Sequence, residues 1–229
     1  MRFDFHRAAL LAGAAWFIVP TVQAATLWTD WSAATTTGVS TFNTVIGSLS
    51  LGGSPVTVTY RGATDAVQLS GADWWNVVGT PDPYAASGAP DQHDIIRLVG
   101  GDASRYQISF STAVVDPVIA VLSVGDRHHQ VDYVFDQKPT PLSSGAGWWG
   151  GCSSCLFVTD HTVSGLEGHG VVQFKGTFTQ LSWSVPEAEY WHGFTVGAAS
   201  VAAVSEPSVT ALLACGLMVG VFMAKRRSE

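Results

Sequence analysis

Between Gly125 and Asp136 the chain reads GDRHHQVDYVFD. If this segment is extended, Asp126, His128 and Asp132 share one face, because side chains alternate along a strand. Two carboxylates and a neutral imidazole form an oxygen and nitrogen donor set that suits a divalent metal. An imidazole also titrates near physiological pH. The same residues, with His129 and Asp136, equally fit a turn bearing solvated polar groups, so the three donors are candidate ligands without a complete site. Asp91, His93 and Asp94 in PDQHD repeat the pattern more thinly. No EF-hand spacing supplies the oxygen ligands that calcium takes.

Other residue types suggest other chemistry. Glu187 and Glu189 in VPEAEYW offer two carboxylates. Glycoside hydrolysis needs such a pair about 5–10 Å apart across a cleft. Two positions apart on one strand or turn seldom gives that geometry, and a solvated acidic turn is expected. Cys152 and Cys155 form a C-x-x-C, which can be a redox pair, half a zinc site or a local disulfide. A redox pair belongs at a helix start, whereas Gly150 and Gly151 precede this one. A zinc site of four thiolates needs two more cysteines, and the only other is Cys215 in the apolar tail. In an oxidising space the expected state is a short disulfide that pins the loop.

Trp74 and Trp75, and Trp148 and Trp149, are paired aromatics. On a strand, one of each pair would face the core and the other solvent. Trp148 and Trp149 are flanked by glycine on both sides and belong in a loop. Buried packing is the ordinary use of tryptophan, but exposed indoles would make a platform for sugar rings. The chain has no G-x-S-x-G, no H-E-x-x-H and no glycine-rich phosphate loop. No catalytic residue and no cofactor is assigned, and the body is expected to bind or to build rather than to catalyse. The rival expectation is a secreted hydrolase that uses Asp126, His128 and Asp132.

Strands must position these groups. Hydrophobic residues make up 47% of the 229 and charged ones only 13%, with 24 glycines. That balance favours strands and turns over helices. VTVTY at 56–60 alternates, as do TLWTDW at 26–31, YQISF at 106–110 and VDYVF at 131–135. The run at 113–124 is interrupted by Asp116 and Pro117, expected as an edge or bulge. Two short strands with a bend near Gly176 fit 171–185, and a last strand fits 190–199. The expected fold is an all-β, antiparallel sandwich or jelly roll over 25–203. Two stretches, 79–94 and 137–155, read as long loops, and loops of that length usually bind something or hang free.

The two ends read differently from this body. Arg2 and Arg7 precede an apolar stretch at 8–19, Pro20 breaks it, and Val22, Gln23 and Ala24 fit a small-x-small cleavage site. This is the pattern of a secretory signal peptide over 1–24, handled by a Sec-type export machinery and signal peptidase. Near the other end, 209–224 is an uncharged apolar run followed by Lys225, Arg226 and Arg227. At about 1.5 Å per residue it falls a little short of a bilayer's hydrocarbon core, a gap that local thinning can close. The positive-inside rule holds the three cations in the cytoplasm, so both ends predict a body outside the inner membrane. Setting aside Arg2, Arg7, Lys225, Arg226, Arg227 and the acids Asp4, Glu206 and Glu229 leaves six cations against fifteen acids. So acidic a body argues against nucleic acid as a partner.

Ser205, Glu206 and Pro207, then the apolar run, then Lys225, Arg226 and Arg227, resemble the PEP-CTERM sorting signal. The family's motif is Pro-Glu-Pro, and here Ser205 stands where its first proline would be. The resemblance covers 205–227, within a sorting segment at 204–229. It implies export in a Gram-negative bacterium, recognition by an exosortase, transient anchoring in the inner membrane, removal of the tail, and delivery to the cell surface or extracellular matrix. Such systems accompany exopolysaccharide production, which makes extracellular polysaccharide the implied partner. A permanently anchored single-pass protein is the other outcome of the same residues.

Overall fold

The computed structural model describes residues 25–36, 38, 41–77, 81–90, 93–101 and 105–201. The predicted signal peptide, the sorting motif and the span at 209–224 lie outside the described residues. Every regular element among the described residues is a strand, and no helix there is long and apolar enough to cross a membrane.

In chain order the strands are β1 (Leu27–Trp28), β2 (Asp30–Thr35), β3 (Thr41–Leu51), β4 (Ser54–Thr64), β5 (Ala66–Gln68), β6 (Ile95–Gly100), β7 (Arg105–Val115), β8 (Val118–Val124) and β9 (Val131–Phe135). They continue with β10 (Pro139–Gly147), β11 (Gly150–Gly151), β12 (Leu156–Thr159), β13 (Thr162–Gly165), β14 (Gly168–Phe174), β15 (Thr177–Ser184), β16 (Ala188–Ala198) and β17 (Ser200–Val201). They form two sheets. One has the order β11-β10-β14-β8-β16-β6-β5, with β1 also on β16. The other has the order β12-β13-β9-β15-β7-β4-β3-β2, with β17 also on β7. All described pairings are antiparallel.

One apolar cluster draws on both sheets. Trp183 on β15 lies between Tyr106 and Tyr133, with ring centroids 5.8 and 6.4 Å away. Phe194 on β16, in the other sheet, meets the same indole edge-on at 5.1 Å. Offset and edge-on contacts suit the ring quadrupoles. The alternation of β7 and β9 supplies this layer: Tyr106, Ile108, Phe110, Val131, Tyr133 and Phe135 point inward.

A second cluster explains why β8 is buried on both faces. Trp75 and Tyr84, from the irregular stretch after β5, pack on Val118, Ala120, Leu122 and Val171 on the outer side of the first sheet. The Tyr84 hydroxyl donates to the Val121 carbonyl at 3.2 Å, and Trp75 Nε1 donates to the Asp94 carbonyl at 3.1 Å. Burial holds the Tyr84 phenol well above its ordinary pKa. The segment expected as a free or binding loop at 79–94 is, where described, a cover for this sheet.

Two further expectations change. Asp116 and Pro117 form neither an edge nor a bulge: they carry the chain from β7 in one sheet to β8 in the other. Asp116 adopts φ 49° and its carboxylate accepts from Gly176 N at 2.7 Å and Lys175 Nζ at 3.1 Å. The segment 137–155 is not one long loop. Residues 139–147 form β10, whose register with β14 runs from Pro139 opposite Phe174 to Gly145 opposite His169. The sequence PTPLSSGAG lacks strand-forming side chains, and pairing with a buried neighbour decides its conformation.

Candidate functional site

The β10–β11 hairpin presents Trp148 and Trp149 at its tip. Both are exposed, at 54% and 41%. Trp74 lies against both, 6.0 Å from Trp148 edge-on and 5.1 Å from Trp149. Trp191, at the start of β16, meets Trp149 at 4.5 Å. Arg97 lies over the Trp191 ring at 5.3 Å and pairs with Asp65 at 2.5 Å. Four indoles thus make one continuous stripe. Of the two predicted pairs, Trp148 and Trp149 both belong to it. Trp74 and Trp75 divide, because 74–75 is a bend rather than a strand: Trp74 joins the stripe and Trp75 goes to the core.

The hairpin is held close to the sheet by a glycine. A Cβ on Gly147 would come within 2.3 Å of His169 Cε1, so only glycine lets this strand pass over that buried imidazole. Just beyond the tip, Cys152 and Cys155 form the predicted disulfide, with Cα atoms 5.0 Å apart. It closes a turn in which Cys155 N donates to the Cys152 carbonyl at 3.0 Å.

The stripe ends at a cleft of about 550 Å³, whose lining includes Trp149, Trp191, Ser123, Asp126, Glu167 and Glu189. Two of these residues have left-handed backbones, Ser123 at φ 56° and Glu167 at φ 59°. Such conformations cost energy in non-glycine residues and gather at functional sites. They meet each other: Ser123 Oγ donates to Glu167 Oε1 at 2.5 Å. Fully buried His169 stands behind them. Its Nδ1 accepts from Ser123 N at 3.2 Å, so Nε2 carries the ring proton and faces Glu167 Oε1 at 3.4 Å.

Glu189 is built in parallel. Its side chain is only 8% exposed. Oε2 accepts from Gly125 N at 2.7 Å and lies 3.6 Å from Nδ1 of fully buried His192. Gly125 can offer that amide because it adopts φ 71° at the end of β8. Burial first, then the charges of Glu167 and Asp126, raise the Glu189 carboxyl to about 8. Burial lowers His192 to about 3, so this imidazole stays neutral. The Tyr133 hydroxyl reaches the same Nδ1 at 3.2 Å.

Each glutamate therefore has one oxygen fixed by the protein. The second oxygen, Oε2 of Glu167 and Oε1 of Glu189, has no protein partner among the described residues and is not sealed off from solvent. Both residues line one aromatic-walled cleft, and Glu189 does so as a carboxylic acid until its proton leaves near about 8. Nothing in the sequence singled out Ser123, Glu167, His169, Trp191 or His192. Glu189 had been expected on a solvated turn beside Glu187. A register shift in β16 between Ala188 and His192 separates the pair. Glu189 turns in, while Glu187 accepts from Asp132 N at 3.1 Å.

The Asp126, His128 and Asp132 set is not assembled. Residues 126–129 form a turn, and the strand begins only at Val131. The Asp126 carboxylate accepts from His128 N at 2.6 Å and His129 N at 2.9 Å, which holds its pKa below the usual range. Asp132 accepts instead from Gln130 Nε2 at 2.8 Å. Asp136 pairs with Arg105 and accepts from Ser182 Oγ at 2.6 Å. In the second acidic stretch Asp91 lies outside the described residues. Asp94 is buried and accepts from Trp31 N at 2.7 Å. Among the described residues no three His, Cys, Asp or Glu side chains gather to hold a metal ion.

No protein-family model, no curated protein and no solved structure matches the chain. The site stands on its own geometry.

Proposed function

We propose that this protein is exported and that its two-sheet body, a sandwich of jelly-roll type, binds a glycan at the cell surface or in the extracellular matrix. The observation that carries the reading is the stripe of Trp74, Trp148, Trp149 and Trp191 leading into an acceptor-lined cleft. Indoles offer flat apolar faces to the C–H faces of sugar rings, and a few fixed polar groups orient the ligand. Tryptophans that pack on one another while two stay largely exposed are poorly explained by core packing.

Delivery rests on the two ends of the chain. The signal-peptide pattern at 1–24 supports export through a Sec-type machinery. The PEP-CTERM-like pattern of Ser205, Glu206, Pro207, Lys225, Arg226 and Arg227 supports exosortase sorting through a transient inner-membrane stage. A hydrolase that uses Asp126, His128 and Asp132 has less support, because Asp126 serves the amides of its own turn. The test is retention of the full chain on extracellular polysaccharide from the producing cell, beside a Trp149→Ala, Trp191→Ala double variant. Intact mass of the protein from medium and membrane fractions is measured in parallel. Retention that the double variant loses supports binding, and a mass lacking both ends supports sorting. Equal retention of both proteins would overturn the binding site, and a full-length mass found only in the inner membrane would overturn sorting.

A further inference from the structure

The free oxygens of the cleft indicate which glycan it selects. This step rests on the glycan-binding reading and names the class of sugar. Glu167 Oε2 and Glu189 Oε1 have no protein partner among the described residues, and Trp149 and Trp191 wall the same space. Asp126 adds a third carboxylate to the lining. Among the described residues no lysine or arginine pairs with Glu167 or Glu189, and the basic side chains within ion-pair distance are the imidazoles of His169 and His192. Arg127 Nη2 and Glu167 Cγ lie 3.2 and 4.0 Å from one point, an added Cβ at Gly150, so this guanidinium neighbours Glu167 without forming an ion pair with it. Nε2 of His169, fully buried, faces Glu167 at 3.4 Å with no hydrogen-bond partner among the described residues.

A neutral hydroxyl donates one proton, leaves Glu167 and Asp126 uncompensated and gives Glu189, which holds its proton up to about 8 in the fold, no reason to ionise. An ammonium donates three, carries the opposite charge and favours an indole face. A polyuronate would add negative charge to a cleft that already repels it. Among the described residues no three His, Cys, Asp or Glu side chains gather here as a metal's ligand set. We propose that the cleft takes the amino group of an amino-sugar unit, with Glu167 Oε2 and Glu189 Oε1 accepting from the ammonium and Trp149 covering the sugar ring. The titratable groups facing Glu189 are Asp126 and Glu167 from the adjoining turns, with neutral Tyr133 on β9 and neutral His192 on its own strand.

The test is calorimetry on the full chain in detergent, with a glucosamine oligomer and its fully N-acetylated counterpart of equal length, at a pH where the free amine is protonated. The amine form should bind about tenfold tighter, the scale of one desolvated cation contact. A Glu167→Gln, Glu189→Gln double variant should bring that ratio close to one. A second readout needs no variant. In buffers of differing ionisation enthalpy, the amine oligomer should release protons as Glu189 ionises, and the acetylated one should not. Equal affinity for the two oligomers, or no difference in proton release, overturns the amino-sugar assignment while the glycan-binding reading stands. Failure to bind either oligomer or any polysaccharide removes both.

Discussion

Glu189→Gln should change how the protein's stability depends on pH. In the fold Glu189 keeps its proton up to about 8, against an ordinary value of 4.5. A folded state that holds a proton the unfolded chain releases is favoured at low pH. Stability from this group is therefore full below the unfolded value and declines as pH rises toward the folded one. At about 1.36 kcal/mol per pH unit, the span amounts to a ceiling of about 5 kcal/mol. The carboxyl borders an open cleft, so solvent screening brings the effect well below that ceiling. Glutamine keeps an oxygen for Gly125 N and cannot ionise. Urea unfolding, followed by tryptophan fluorescence from about pH 5 to about pH 9, reads the effect. Wild type should lose stability across this window, and the variant should stay nearly flat and become the more stable protein at the alkaline end. Asp116, Asp126 and Asp136 have lowered pKa values, so their contributions change only at more acidic pH. If wild type and variant run parallel between about pH 5 and about pH 8, Glu189 is ionised in the fold and the proton assignment is wrong.

Three further outcomes follow from packing. Trp75→Ala, which empties a fully buried site against Tyr84, should cost about 3–5 kcal/mol, whereas Trp148→Ala at the exposed tip should stay within about 0.5 kcal/mol while weakening glycan retention. Both are checked by denaturant midpoints. Gly147→Ala places a Cβ within 2.3 Å of His169 and should displace the hairpin, lowering glycan affinity more than it lowers the melting temperature. Reducing Cys152–Cys155 opens a turn with a sequence separation of only 3. It should cost at most about 2 kcal/mol by chain entropy, read as a shift in the thermal midpoint.

Much of the sheet framework is legible in the sequence, because β4, β7 and β9 alternate apolar and polar residues over a buried face. Strand β10 is not legible: its glycines, serines and prolines describe a loop until β14 pairs with it. The exposed hairpin tip is legible from glycines on both sides of Trp148 and Trp149, and the C-x-x-C disulfide from spacing and the expected compartment. The cleft is not. Ser123 lies near the end of β8, Glu167 in the turn before β14 and Glu189 near the start of β16, and no local pattern announces that they meet. The shift in β16 that turns Glu189 inward adds an irregularity without any marking residue, and the left-handed backbones of Ser123 and Glu167 occur where glycine would have signalled them. The metal set depended on an extended chain through 126–129; Gly125 and the Asp126 carboxylate make a turn there, the other arrangement those residues fit.

The central claim is that the tryptophan stripe and its cleft hold a glycan. A crystal structure of the body grown with oligosaccharides cut from the producing cell's own polysaccharide tests it most directly. The account predicts sugar rings lying on Trp149 and Trp74, with a terminal or branch residue reaching Glu167 and Glu189. Sugar bound elsewhere on the body, with the stripe bare, would contradict it.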